Sequence, residues 1–168
     1  KDVSGNDIDG WKSVRATVGH ITGKRYFEAK LMAKADALIM IGIANGGARM
    51  SADLGNASSG ATSAAVYGTS GQQNNGFTVV NSITLNTFSL NDVFGIAVDF
   101  ASGKVWFAQN NTYLNSGNPV AGTNPWLIFV PSSVSRIWPA CSIRQSAGNT
   151  VRIQALAADQ TYSPPSGF

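Results

Sequence analysis

An all-β sandwich or barrel is the fold class this sequence predicts, and three observations carry the prediction. Apolar residues alternate with small or polar ones at period two in several short stretches, the mark of a strand with one buried face. Helical periodicity is nearly absent. Clusters of Gly, Asn, Ser and Pro separate the stretches at near-regular spacing, as turns between short strands do.

Taken in order, residues 26–34 place Phe27, Ala29, Leu31 and Ala33 on one face and Glu28, Lys30 and Lys34 on the other. Residues 37–44 form a short apolar run with Gly42 inside it, which reads as a strand approached closely by other backbone. Residues 45–73 are rich in glycine and long for a connection, so a functional or mobile loop is expected, with Val66-Tyr67 as a short strand or anchor. Further strands are expected at 76–80, 83–85, 126–130, 138–143 and 151–156. A second long connection, 111–125, carries Tyr113, Asn115, Asn118 and Asn124.

The most ordered stretch is 92–111, DVFGIAVDFASGKVWFAQNN. Phe94, Ile96, Val98 and Phe100 share one face, and Gly95, Ala97 and Asp99 share the other. Ala101-Ser102-Gly103-Lys104 supplies turn chemistry, Val105 to Ala108 resumes as a strand, and Asn110-Asn111 ends it. This is a β-hairpin that serves as scaffold for loops at its ends.

Charged residues make up 12% of the 168, against ~25% in an ordinary soluble domain, and Gly, Ser, Thr and Asn take their place. Such a neutral, polar surface suits recognition of neutral polar ligands such as sugars, and equally is what an all-β protein with long loops contains. The net charge of +3 comes from scattered basic residues with no basic stripe, so nucleic acid is not an expected partner. One cysteine, Cys141, excludes an intrachain disulfide, and its apolar neighbours mark it as a buried small hydrophobe. No apolar run reaches the ~18 residues of a membrane span. The length favours a single domain over 1–168, and a start at Lys1 is expected of a piece cut from a longer protein.

Catalytic constellations are sparse. Glycoside hydrolysis needs two carboxylates ~5 Å apart, or ~6.5–9.5 Å for inversion. The sequence holds eight Asp and one Glu, Glu28. Asp92 and Asp99 fall on opposite faces of one strand, and Asp99 could meet Glu28 only across sheets. His20 is the single histidine, so a Ser-His-Asp triad or zinc site would have to use it, and its Gly-rich setting predicts an exposed turn residue. No metal or cofactor is expected. Aromatics near loop ends can stack on sugar rings. Trp106 and Trp138 read as core anchors, whereas Tyr67, Tyr113 and Trp126 fit either role.

Several motifs in order carry a family resemblance. They are Gly23-Lys24-Arg25-Tyr26-Phe27-Glu28, Ile41-Gly42-Ile43-Ala44, Tyr67-Gly68-Thr69-Ser70-Gly71, the 92–111 block, Trp138-Pro139-Ala140, and the closing 161–168 segment TYSPPSGF. In these the chain resembles a SPRY domain, of the type found in bacteriophage and bacterial sequences. The resemblance implies a bent two-sheet antiparallel β-sandwich similar to concanavalin-like lectins, a binding module without catalytic residues, and recognition by loops at one end. Two positions depart from the pattern. Asn110-Asn111 stands where the family has an Asn-Gly turn, and Gln145 stands where some vertebrate members place a peptide-binding Trp.

The expected function is a non-catalytic binding module, the receptor- or glycan-recognising domain of a phage tail fibre or other virion protein. Its partner would be a bacterial surface glycan or surface protein, and its location the virion or the outside of a bacterium. The oligomeric state would be set by the parent protein. A structural interaction or decoration domain is the alternative, and a carbohydrate-active enzyme the third reading. The residues expected at the site are Tyr67, Asn74, Asn110, Tyr113, Trp126 and Gln145.

Overall fold

The computed structural model describes residues 2–4, 10–56, 62–69, 71–83, 87–131, 136–144 and 148–168. Among these, strands run over Asp2–Ser4 (β1), Trp11–Arg15 (β2), Lys24–Ala33 (β3), Ile39–Ala44 (β4), Ser63–Tyr67 (β5), Gln72–Asn75 (β6), Thr78–Val79 (β7), Val93–Asp99 (β8), Lys104–Gln109 (β9), Thr112–Tyr113 (β10), Leu127–Ile128 (β11), Trp138–Arg144 (β12) and Thr150–Gln154 (β13). They form two antiparallel sheets. Sheet A has the order β1-β13-β3-β8-β9-β11-β7, with β10 also on β9, and sheet B has the order β2-β12-β4-β5-β6. The protein is therefore the all-β, two-sheet antiparallel sandwich that the alternating pattern predicts.

The inner faces meet in one core. Phe27, Ile96 and Phe107 stand in register across β3, β8 and β9, and Ala29 and Phe94 follow beside them. Sheet B answers with Ile41, Ile43, Ala64, Val66, Cys141 and Ile143. Phe88 closes one end, its ring centroid 4.3 Å from that of Phe94. Cys141 is fully buried, which pushes its thiol up to about 12.

The outer faces are where the structure departs from simple alternation. On sheet B that face is built from small residues: Ser13, Ser142, Ala140, Gly42, Ala65 and Ser63. They leave a shallow bed, and residues 45–56 lie in it. Ser13 Oγ donates to Ala52 O (2.5 Å), so the 2.5 Å contact between Ser13 and Ser142 has Ser142 as donor. Leu54 N donates to Ser142 Oγ (3.1 Å) and Gly55 N to Ser63 Oγ (2.8 Å). The described start of the loop expected to be mobile is thus packed as a cover. The remainder of 45–73 contains the β5–β6 hairpin rather than one continuous connection. β4 is buried on both faces for this reason, and Gly42 is required there, because a Cβ would lie 1.9 Å from Ala64 O.

The outer face of sheet A is closed by the last residues. Glu28, fully buried, accepts from Thr161 N (2.6 Å), Tyr162 N (3.0 Å) and the Tyr26 hydroxyl (2.9 Å). Gln160 Nε2 donates to Tyr26 O (3.1 Å), and Gln154 Nε2 donates to Asp159 O. Phe168 meets Trp106 edge-on at 6.1 Å, with Lys24 Nζ 4.9 Å from the Phe168 ring centroid. The opening Tyr-Phe-Glu motif and the closing Tyr-Ser-Pro-Pro-Ser-Gly-Phe motif therefore form one strap. Gly95 makes room for it, since a Cβ there would lie 2.5 Å from Tyr26 Oη.

Burial raises the phenol of Tyr26 well above its ordinary value, helped by its hydrogen bond to Glu28, and burial raises that of Tyr113 too. A raised folded-state value means that the folded protein keeps protons the unfolded chain releases. This contribution is complete below pH ~10 and is lost as pH rises beyond it. The melting temperature is expected to fall above pH ~10 and to fall less steeply in Tyr113→Phe, which a thermal melt series at alkaline pH would show.

Four expectations from sequence are corrected here. Trp138 lies on the outer face of sheet B, half-buried, because its register partner Ala44 faces outward. His20 is half-buried rather than exposed, since its backbone bridges to Ile137 in both directions at 2.9 Å. The strand expected at 76–80 is only Thr78–Val79. Ile83 lies outside any strand, and the rest of the strand expected at 83–85 lies outside the described residues.

Candidate functional site

The six residues expected at the site are not gathered into one cluster. Trp126 is 2% exposed, meets Phe107 edge-on at 5.6 Å, and donates its Nε1 to Gln72 Oε1 at 2.6 Å. A ring so enclosed is a core anchor and presents no face for a ligand. Asn74 lies on the edge strand β6 and donates to Phe77 O (2.6 Å), near the same inner edge. Tyr113 packs on the outer face of sheet A with Tyr26, Ala97, Trp106 and Phe168. Gln145 lies outside the described residues.

Tyr67 and Asn110 lie toward the same end of the sandwich, Tyr67 on the outer face of sheet B and Asn110 at the β9–β10 turn of sheet A. Tyr67 ends β5, half-buried, and its amide closes the following turn on Gly71 O (3.0 Å). Trp11, at the start of the edge strand β2, stands edge-on to it at 5.5 Å, with Met50 packed beside them. Trp11 is the residue that sequence reasoning passed over. Its alternation with Ser13 and Arg15 in a strand next to β12 was the available signal.

Asn110 and Asn111 have φ of 50° and 63°, and Gln109 and Thr112 pair across them. Positive φ at both central residues is what a type I′ hairpin needs, and Asn tolerates it, so the missing glycine changes nothing. Asn110 is also a brace: Oδ1 accepts from Val93 N (2.9 Å) and Nδ2 donates to Asp92 Oδ1 (2.8 Å). Asp92 further accepts from Ser89 N and Gln109 Nε2, both at 2.8 Å. Around this knot lies a pocket of about 360 Å³ lined by Thr87, Ser89, Asp92, Gln109, Asn110, Thr112 and Leu114. The buried Gln109 Oε1 has no partner among the described residues.

The aromatic pair and the polar pocket belong to the same end of the sandwich. Phe88, between Thr87 and Ser89, packs against Gly68, where a Cβ would lie 2.9 Å from its ring. One end therefore presents half-exposed aromatic surface next to hydroxyl and amide groups. That arrangement can hold a polar ligand or a peptide by stacking and hydrogen bonds.

Acid–base chemistry finds no such support. Asp99 and Glu28 share the outer face of sheet A and do not meet across sheets. Glu28 aligns with Gly95, four residues from Asp99, so about 13 Å of strand separates them. Asp99 accepts from Ala101 N (2.9 Å) and Ser102 N (3.3 Å). Burial acts to raise its carboxyl, but these turn bonds and Lys24 outweigh it and hold the group below the usual range.

Comparison with known proteins agrees with this architecture. The family profile described as SPRY domain matches residues 24–153. No curated protein sequence matches the chain. Among solved structures, the crystal structure of the SPRY domain of human HERC1 is similar, with a TM-score of 0.61 and 15% identity, covering 88% of this chain and 84% of that one. At that identity the likeness speaks to the fold.

Proposed function

Because the chain belongs to the SPRY domain family, whose members are generally protein–protein interaction modules, we propose that it is a non-catalytic binding module. Its contact surface is the end that carries Trp11, Tyr67 and the Asn110 pocket. The observation that carries this reading is the joining of a half-exposed aromatic pair and a hydroxyl- and amide-lined pocket through Phe88 and Gly68. The ligand proposed is a bacterial surface glycan or surface protein, and the parent a phage tail fibre or other virion protein. Support for that setting is the low charge, with amides and hydroxyls in place of ionic groups. Residues 1–168 are proposed as one unit, since the strap outside the matched segment is anchored on Glu28 within it.

The test is binding of the purified, labelled domain to a panel of bacterial cells, with and without competing surface polysaccharide. Binding to particular strains is expected, and Trp11→Ala and Tyr67→Ala should each weaken it about tenfold or more, as loss of a central aromatic does. A folded domain that binds no strain would overturn the reading in favour of a structural role within the parent protein.

A further inference from the structure

The end of β2 away from Trp11, on the outer face of sheet B, carries a concentration of positive charge that the Trp11–Tyr67 pair does not use. Arg15 ends β2, Trp138 begins β12, and Arg136 lies two residues before Trp138. The Arg15 guanidinium carbon lies 5.1 Å from the Trp138 ring centroid and that of Arg136 lies 5.7 Å from it. The indole is itself held in place: Gly19 packs so closely that a Cβ would lie 2.5 Å from it.

Each guanidinium gives one N–H to a backbone carbonyl, Arg15 to Asn45 O (2.8 Å) and Arg136 to Gly19 O (3.0 Å). An arginine has five such donors. The rest have no acceptor among the described residues, and no carboxylate there pairs with Arg15, Arg25 or Arg136. Asp99 is occupied by its own turn, and Asp159 lines a neighbouring groove with Val18 and Leu156. Arg25 adds to the field, which reaches His20. Burial lowers the His20 pKa first, and the nearby Arg25 and Arg136 lower it further. A trough of about 470 Å³, lined by Ser13, Arg15, Thr17, Met50 and Trp138 among others, gives a ligand room.

We propose that this end is an oxyanion site, which takes a carboxylate or phosphate group between the guanidinia of Arg15 and Arg136. Stacking on Trp138 and the backbone bonds fix both forks in advance, so little side-chain freedom is lost on binding. The trough shares Met50 with the Trp11–Tyr67 surface, but neither arginine belongs to that surface.

His20 is the only histidine, so its ring protons are identified without ambiguity, and its interaction with Arg136 makes them sensitive to charge bound there. The domain is titrated separately with sodium glucuronate and with inorganic phosphate, at constant ionic strength made up with chloride, and the His20 signals are followed by NMR. A saturable shift is expected with at least one of the two. Saturation by glucuronate alone assigns an acidic sugar, and by phosphate alone a phosphate-bearing ligand. Arg136→Gln, a change at an exposed side chain, should raise the half-saturation concentration about fivefold or more with an unchanged melt, because the charge-assisted fork is gone. Should that variant melt lower, Arg136→Lys keeps the charge but not the fork and is read the same way. A shift that does not saturate for either anion, or one that neither variant alters, overturns the proposal.

Discussion

Ile96→Asp is expected to abolish the folded state. Ile96 is fully buried at the centre of sheet A, with Phe27 and Phe107 as its register neighbours. The substitution removes about 1.5–3 kcal/mol of burial. It also leaves an uncompensated carboxylate in the core, which costs about 3–5 kcal/mol more. Together these rival the whole net stability of a domain this size, about 5–15 kcal/mol. Circular dichroism should show no cooperative melt and loss of the β signal. A variant that melted normally would mean that residue 96 faces outward and that the β8 register is misassigned.

Glu28→Ala is expected to release the strap and to lower stability by about 3–5 kcal/mol, because three donors lose one charged acceptor. Thr161 N, Tyr162 N and the Tyr26 hydroxyl all donate to Glu28, and among the described residues they have no other acceptor. Glu28→Gln keeps the volume and one carbonyl acceptor, so its loss should be smaller, about 1–2 kcal/mol. Denaturant melts of both variants, with hydrogen exchange at Thr161 and Tyr162, check the result. Equal protection of those amides in wild type and Glu28→Ala would show that the strap is held by something else.

Much of the fold was legible because its signals are local. Period-two alternation marks 92–111 and 26–34, and 138–143 stands as a short strand candidate bounded by turn residues; the structure has β8–β9, β3 and β12 there. What was not legible depends on partners distant in sequence. Nothing near Trp126 says that its N–H would find Gln72 and its ring Phe107. Nothing near Trp138 says that a small-residue face would turn it outward to meet Arg15 and Arg136. Residues 45–73 read as a functional or mobile loop because they hold few large apolar side chains, and 45–56 are pinned instead by serines on three other strands. At the candidate site, Tyr67 and Asn110 carried signals in their own motifs, whereas Trp11 showed only as one of several aromatics beside a loop until β2 is placed beside β12.

The strap that joins the two ends of the sequence has a consequence for how the molecule is made. Glu28 waits for Thr161 and Tyr162, and β2 waits for β12, so early strands lack their neighbours until the last residues exist. Such long-range pairing slows folding, because chain closure is paid before contacts reward it. A ribosome-bound chain that stops short of residue 161 would carry an uncovered Tyr26, Trp106 and Gly95 and a carboxylate with no amides to meet it. Vectorial synthesis is therefore expected to leave the outer face of sheet A uncovered until residues 160–168 emerge, well after β3 and β8 have been made.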